Sequence, residues 1–189
     1  MKPPAFDYVV AQSTDDAVNR LAEFGEDASV IAGGQSLVPM LALRLARPSV
    51  LVDINRVVEL AGAKIDGTTL RIGAMTRQNA IMRDPLVVKL VPALAAATGL
   101  IGHHQTRNRG TIGGSLALGE PASEYPACSV ALSAQIDVRS KAGTRTIAAR
   151  EFYEAAYTTV RKPGEMIVSV AFHGWPNGTV MAVDEIARR

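Results

Sequence analysis

Two glycine pairs, far apart in the chain and each followed by Ser-Leu, constrain this sequence more than any other feature. The first glycine loop, residues 32–37 (Ala-Gly-Gly-Gln-Ser-Leu), follows an apolar run. The second glycine loop, residues 111–117 (Thr-Ile-Gly-Gly-Ser-Leu-Ala), follows a polar run. Paired glycines let main-chain N–H groups approach phosphate oxygens without an intervening Cβ, and a following helix adds its positive N-terminal end. The repeated pattern predicts two loops that close on one elongated ligand carrying a pyrophosphate.

Neither loop matches a common nucleotide fingerprint when it is taken alone. The first glycine loop lacks the three spaced glycines of a Rossmann turn, and it lacks the Gly-Lys-Ser/Thr of a P-loop. An ordinary strand-to-helix turn therefore stays open as the alternative for each loop.

An acidic segment, residues 120–124 (Glu-Pro-Ala-Ser-Glu), follows the second glycine loop. A carboxylate just beyond a pyrophosphate loop is well placed to accept hydrogen bonds from ribose hydroxyls, as in dinucleotide folds. Glu124 is therefore a candidate ribose ligand. The alternative is that Glu124 only complements the dipole in the first turn of a helix.

The composition argues against several classes of function. The 189 residues include 20 basic and 18 acidic ones, a formal net charge of +2. Because these charges are well mixed, neither a nucleic-acid partner nor a basic membrane surface is expected. The N-terminus has no signal-peptide core, and the most apolar stretch, residues 87–101, is too short to span a membrane. We expect a cytoplasmic protein without membrane insertion.

The chain offers no set of residues for catalysis or metal binding. Cys128 is the single cysteine, so this chain can form neither an intrachain disulfide nor a cluster site of four cysteines. The adjacent His103 and His104 lack metal-ligand spacing, and no Ser/His/Asp, Cys/His or paired-carboxylate set is evident. A bound cofactor is therefore expected to supply the chemistry.

The pattern of apolar and capping residues over residues 1–56 predicts a compact β-α-β-α-β unit. Thr14 is expected to cap its first helix, and Gly25 to end that helix. Ser36 is expected to cap the second helix, which would run to about Ala46. The three strands are predicted over residues 6–10, 29–32 and 50–54.

From residue 57 onward the pattern is that of an α+β subdomain. Thr76 is expected to cap a short helix, and the polar residues 99–110 are expected to form a loop. The other predicted elements are hairpins over residues 63–73 and 135–148, helices over 76–82, 85–98 and 123–133, and strands over 166–172 and 179–186. The predicted domains are residues 1–56, residues 57–176, and residues 177–189 as the start of a missing C-terminal region.

These motifs resemble the FAD-binding medium subunit of molybdenum hydroxylases, the flavoprotein component of the xanthine dehydrogenase and carbon monoxide dehydrogenase family. The first glycine loop resembles the family's first FAD motif, and residues 107–117 resemble the second almost letter for letter. Residues 120–126 resemble the Asp-Pro-x-x-Glu-x-Pro tail that follows it, and residues 152–165 are similar to a segment near the flavin. Residues 6–8 and 53–55 also fit the family.

The resemblance implies the α+β FAD-binding fold of the vanillyl-alcohol oxidase type, with two α/β subdomains and FAD between them. Both glycine loops would grip the pyrophosphate, Glu124 would lie at the adenosine ribose, and the segment around Val160 would lie near the isoalloxazine. The implied cofactor contacts are Ala32, Gly33, Gly34, Gln35, Ser36, Leu37, Thr111, Gly113, Gly114, Ser115, Leu118, Glu124 and Val160. No catalytic residue and no metal ligand is implied on this chain.

The resemblance also implies a function, that of an electron-transfer flavoprotein subunit, an oxidoreductase component that is catalytic only with its partners. A large molybdopterin-binding subunit would oxidise the substrate, and a small iron–sulfur subunit would pass the electrons to FAD. An external acceptor such as NAD or a quinone would then receive them. Two alternatives remain: a stand-alone FAD-dependent oxidase or reductase, and a non-catalytic nucleotide-binding or assembly module.

The sequence departs from the family's pattern at three positions. Leu118 stands where many relatives carry a histidine, His104 where many carry a proline, and Glu120 where an aspartate is usual. Relatives also continue into a separate C-terminal domain.

Overall fold

The computed structural model describes residues 2–175 and 179–186. Short 3-10 turns at Gly25–Asp27 and Val58–Leu60 accompany the regular elements. In chain order these elements are β1 (Asp7–Val10), α1 (Thr14–Phe24), β2 (Ala28–Ile31), α2 (Leu37–Ala42), β3 (Val50–Asp53), β4 (Ala63–Asp66), β5 (Thr69–Gly73), α3 (Gln78–Ile81), α4 (Pro85–Leu90), α5 (Pro92–Leu100), α6 (His104–Arg109), α7 (Ile112–Leu118), α8 (Glu124–Ala131), β6 (Gln135–Ser140), β7 (Gly143–Ala148), α9 (Ala149–Phe152), β8 (Tyr153–Ala155), β9 (Thr158–Thr159) and β10 (Met166–His173).

The first sheet is parallel, with the strand order β1-β3-β2. Its central strand β3 is buried along its whole length. The continuous apolar run Val50-Leu51-Val52 is typical of a parallel strand that is covered on both faces. Helix α1 buries Ala17, Val18 and Leu21 at helical spacing in the same core. The predicted β-α-β-α-β order of this part is confirmed.

The cap of α1 differs from the prediction by one residue. Ser13, not Thr14, is the N-cap, and its hydroxyl accepts a hydrogen bond from the Asp16 N–H over 3.0 Å. Thr14 instead donates to Glu59 Oε1 through its N–H, over 2.7 Å, and through its hydroxyl, over 3.0 Å. The predicted end at Gly25 is confirmed, because this residue has φ +58 at the C-cap.

Helix α2 is shorter than predicted, since it ends at Ala42 rather than near Ala46. Ser36 is its N-cap but makes no side-chain capping bond. Arg44 has φ +60, a left-handed conformation that an α-helix cannot continue through.

The second sheet has the order β4-β5-β10-β6-β7, with antiparallel pairs. The long strand β10 is central, and its Val170 pairs with Ile72 on one side and Ile136 on the other. The three side chains are almost fully buried in the larger apolar core, which α4, α5, α7 and α8 help to complete. Both predicted hairpins and the strand over residues 166–172 are confirmed.

Two helix predictions and one loop prediction in this part were wrong. The single helix predicted over residues 85–98 is two helices, because Pro92 moves the preceding Val91 out of the α region. The N-cap of α3 is Arg77, while the Thr76 hydroxyl donates to the Gly73 carbonyl oxygen over 2.7 Å. Residues 99–110 contain the short helix α6, whose polar sequence has no apolar periodicity to reveal it.

The strand predicted over residues 179–186 is absent, because these residues have no regular secondary structure. The remaining residues of the predicted C-terminal region, 177–178 and 187–189, lie outside the described part of the chain. The domain division at residue 56 stays a prediction. Met75 and Met166, which follow that division in sequence, pack into the core around the first sheet.

Candidate functional site

A cavity of about 570 Å³ lies where the two glycine loops meet. Twelve of the thirteen predicted cofactor contacts line it, and Val160 is the exception. The main chain of Val160 is bonded on both sides, since its N–H donates to Phe152 and its carbonyl oxygen accepts from Arg145. The next residue, Arg161, lines the cavity in its place. The contact of Val160 with the isoalloxazine stays a prediction.

The first glycine loop lies so close to the two residues that precede the second glycine loop that no side chain fits between them. A Cβ on Gly33 would lie 2.2 Å from the Arg109 carbonyl oxygen and 2.9 Å from Gly110 Cα. Real Cβ atoms do not approach backbone this closely, so this position requires glycine. Gly33 thus serves the contact between the loops.

A chain of polar groups also connects the loops from outside the cavity. The Asn55 side-chain amide donates to the Ala32 carbonyl oxygen over 2.8 Å and accepts from Arg77 over 2.7 Å. Arg77 in turn donates to the carbonyl oxygen of Arg109. Asn55 belongs to a segment that fits the family, but nothing in the sequence pointed to Arg77. The bridge fixes the separation of the two loops.

The first glycine loop has main-chain donors to spare. The five successive N–H groups from Gly33 to Leu37 donate to no acceptor within the described part of the chain. Gly34 has φ +73, which turns the chain through a conformation that favours glycine. A concave run of free amides is the arrangement that binds phosphate oxygens. This loop fits the predicted diphosphate contact.

The second glycine loop differs from the first, because the protein uses its main-chain donors. The Ile112 N–H donates to Thr76, the Gly113 N–H to Ala74, and both the Gly114 and Ser115 N–H groups to Thr111. The N-terminal end of α7 is thereby largely satisfied. The expectation that both loops present free amides is wrong for the second loop. The second loop contributes the hydroxyl groups of Thr111 and Ser115 to the cavity wall. Its two glycines contribute main chain without side chains.

The two glycines of the second loop have different surroundings. A Cβ on Gly113 would lie 2.6 Å from Ala74 Cβ and 2.8 Å from the Ala74 carbonyl oxygen. A Cβ on Gly114 would meet only the Thr111 hydroxyl, at 3.0 Å. Gly113 therefore lets α7 pack against the main chain at Ala74. Gly114 leaves room only for the Thr111 hydroxyl, which caps α7.

Glu124 lies on the cavity wall as the first residue of α8. Partial burial raises the pKa of its carboxyl group, and the charge of Glu185 raises it further. Both readings of this residue are compatible with its place, since it adjoins the cavity and also occupies the first turn of a helix. Glu120 lines the same cavity and accepts a hydrogen bond from the Tyr157 hydroxyl.

The polar side chains of the cavity wall that sequence reasoning missed include Gln78 and Arg161. Gln78 is 5% exposed, and its Oε1 has no partner among the described residues. The Arg161 Nε likewise has none. Unpartnered buried polar atoms on a cavity wall fit a polar ligand. No sequence signal marks either residue, because burial of a glutamine or an arginine depends on the tertiary fold.

The structure holds no cluster suited to a metal ion within residues 2–175 and 179–186, where no three His, Cys, Asp or Glu side chains come together for this purpose. None of the described helices has the length and apolar character needed to cross a bilayer.

Comparison with known proteins identifies the family. The model of the FAD-binding domain in molybdopterin dehydrogenases matches residues 4–172, which is most of the chain. The chain belongs to this family. Its membership confirms the predicted resemblance and assigns FAD to this domain.

Individual relatives agree with this assignment. The chain is 46% identical over its whole length to the alpha subunit of the 6-hydroxypseudooxynicotine dehydrogenase complex of Paenarthrobacter nicotinovorans, of which it covers 64%. It superposes on a chain of carbon monoxide dehydrogenase from Hydrogenophaga pseudoflava with a TM-score of 0.97 and 41% identity, covering all of this chain and 66% of that one. It superposes on a chain of quinoline 2-oxidoreductase from Pseudomonas putida 86 with a TM-score of 0.92 and 39% identity. This match covers all of this chain and 65% of that one.

The chain thus spans slightly less than two thirds of the length of these relatives. The predicted α+β FAD-binding fold is confirmed by the structural likeness. The free amides of the first glycine loop and the partnerless polar atoms of Gln78 and Arg161 are compatible with a dinucleotide in the cavity.

The two neighbouring glycines of α7 provide a matched pair for a test of packing. Gly113→Ala should lower the free energy of unfolding of the FAD-free protein by about 2 kcal/mol, because the added Cβ overlaps the main chain at Ala74. Gly114→Ala should change it by less than about 0.5 kcal/mol, since helix propensity favours alanine and only a hydroxyl is near. Urea titrations of both variants measure the difference, and equal losses would contradict this account of the loop.

Glu124→Gln should stabilise the FAD-free domain at pH 7.5. The raised pKa of Glu124 means that the folded state holds the proton better than the unfolded state, so ionisation favours unfolding as the pH rises through the folded pKa. The gain should shrink as the pH falls back toward 4.5, the ordinary value. Melting temperatures between pH 4 and 8 measure it, with Glu154→Gln at an exposed site of β8 as the control. A gain that is independent of pH would exclude this cause.

Proposed function

We propose that this chain is the FAD-holding part of an electron-transfer subunit in a molybdenum hydroxylase complex. Substrate would be oxidised on a large molybdopterin-binding partner, and a small iron–sulfur partner would carry the electrons to FAD. They would leave to an external acceptor such as NAD or a quinone. FAD supplies the two-electron redox chemistry when it is bound. The residues of this chain bind it and shield it.

The observation that carries the proposal is the run of free main-chain amides in the first glycine loop, at a cavity shared with the second. Five donors in succession suit a diphosphate, which presents several anionic oxygens close together. The roles proposed for the side chains follow from their places on the wall. Thr111 and Ser115 supply hydroxyls, Leu118 an apolar surface, and Glu124 an acceptor for ribose hydroxyls.

The names of the relatives support a role that does not depend on substrate. They refer to two N-heteroaromatic compounds, 6-hydroxypseudooxynicotine and quinoline, and to carbon monoxide, which has neither a ring nor a nitrogen atom. A domain common to such different enzymes is best explained by a step that they share, and flavin-mediated transfer of electrons is such a step. The absence of a triad or paired carboxylates in the sequence agrees with this division of work.

The first test concerns the cofactor. The FAD-free chain should bind FAD about tenfold or more tightly than it binds FMN, because FMN lacks the diphosphate and adenosine that the first glycine loop and Glu124 would contact. Gly114→Val should weaken FAD binding, because a branched side chain would narrow the cavity at that wall. Titrations followed by flavin fluorescence measure both effects. Equal affinities for FAD and FMN would contradict a dinucleotide site.

The second test concerns the complex. The chain, purified from its natural host with an affinity tag, should bring with it a large and a small protein together with molybdenum and iron. Elemental analysis and mass spectrometry of the purified material provide the measurement. Reduction of the bound flavin by a substrate of the large protein would support the electron route. A chain that is purified with FAD but without metals would favour a stand-alone flavoprotein.

A further inference from the structure

Arg161 places a positive charge on the cavity wall, and no carboxylate in residues 2–175 and 179–186 forms an ion pair with it. It is largely buried and lies between β9 and β10. Its Nη1 donates to the main-chain oxygen of Glu165 over 3.3 Å, and its Nη2 donates to that of Ala117 over 3.4 Å. Both distances are long for hydrogen bonds from a charged donor. Its Nε has no partner among the described residues.

The acidic side chains near Arg161 are engaged elsewhere. Burial lowers the pKa of Arg161, and the charge of Glu165 only partly offsets this effect. Both Glu165 carboxylate oxygens accept hydrogen bonds from Arg145, over 2.7 and 2.8 Å. Glu120 and Glu124 do line the cavity, but Glu120 accepts a hydrogen bond from Tyr157 and neither residue forms an ion pair with Arg161. In the described part of the chain, no carboxylate oxygen lies within 4.0 Å of this guanidinium.

Burying a cation without a counter-ion is unfavourable, and two long bonds to carbonyl oxygens do not offset that cost. A guanidinium also matches the geometry of phosphate groups and of planar anions better than an ammonium does, because its donors form a rigid fork that binds two oxygens at once. We propose that Arg161 pairs with an anionic group of bound FAD, which is either the diphosphate or the flavin ring in its reduced, anionic form. This inference rests on the proposed binding of FAD in the cavity.

The test compares the parent chain with Arg161→Met, Arg161→Lys and Arg150→Met. Methionine keeps an unbranched stem without the charge, lysine keeps the charge, and Arg150 is an exposed residue of α9 outside the cavity. Three quantities are measured: the affinities for FAD and for ADP, the midpoint potential of the bound flavin, and the melting temperature of the FAD-free protein.

Removal of the charge should raise the melting temperature of the FAD-free protein, because an unpaired buried cation is lost. If Arg161 pairs with the diphosphate, Arg161→Met should weaken FAD and ADP binding alike, by about 10- to 100-fold. If it pairs with the reduced flavin, the ADP affinity should stay unchanged and the midpoint potential should become more negative. Arg161→Lys should restore part of either effect, and Arg150→Met should show neither.

Other outcomes overturn the inference. Unchanged affinities and an unchanged potential in Arg161→Met, together with a lower melting temperature, would show that Arg161 only ties the end of α7 to the following segment. The proposed function would survive that result. A parent chain that binds neither FAD nor ADP would refute the proposed function, and the inference with it.

Discussion

The close contact between the first glycine loop and the main chain at Arg109 and Gly110 is the constraint on which the site depends. It brings the first sheet, with the loop that leaves β2, against the segment that leads into α7. The contact exists only because Gly33 has no Cβ. The Asn55–Arg77 bridge holds the same two segments through directed hydrogen bonds. Without this junction the two loops would not line one cavity.

The two loops look alike in sequence and differ in their physics. In the first, five main-chain N–H groups have no acceptor among the residues that the structure describes, and Gly34 provides the turn. In the second, Ala74, Thr76 and Thr111 accept the corresponding hydrogen bonds. Glycine is needed there chiefly so that α7 packs directly on the main chain at Ala74. The first glycine pair thus leaves main-chain donors free for a ligand, and the second forms part of the wall of the same cavity.

Sequence reasoning identified what depends on short-range pattern. The parallel unit, both hairpins and the strand β10 follow from apolar periodicity and turn residues. Sequence reasoning failed where a single residue or a tertiary contact determines the extent of a helix. Pro92 divides one predicted helix into two, α6 forms without an apolar face, and Arg44 ends α2 early. The same limit applies to the site. The glycine loops and Glu124 have recognisable motifs, whereas Gln78, Arg77 and Arg161 are located only by the fold that surrounds them.

Two charged side chains on the cavity wall affect the stability of the FAD-free domain. Burial disfavours the ionised form of Glu124 and also opposes the positive charge of Arg161, yet the two groups form no ion pair with each other. Two opposite charges that remain apart in the same cavity lower the stability of the FAD-free domain without a local gain. A dinucleotide bound as proposed would reduce both costs, because it would offer hydroxyl donors to the carboxylate and anionic oxygens to the guanidinium. The domain is therefore expected to gain stability on binding in addition to the contacts of its glycine loops.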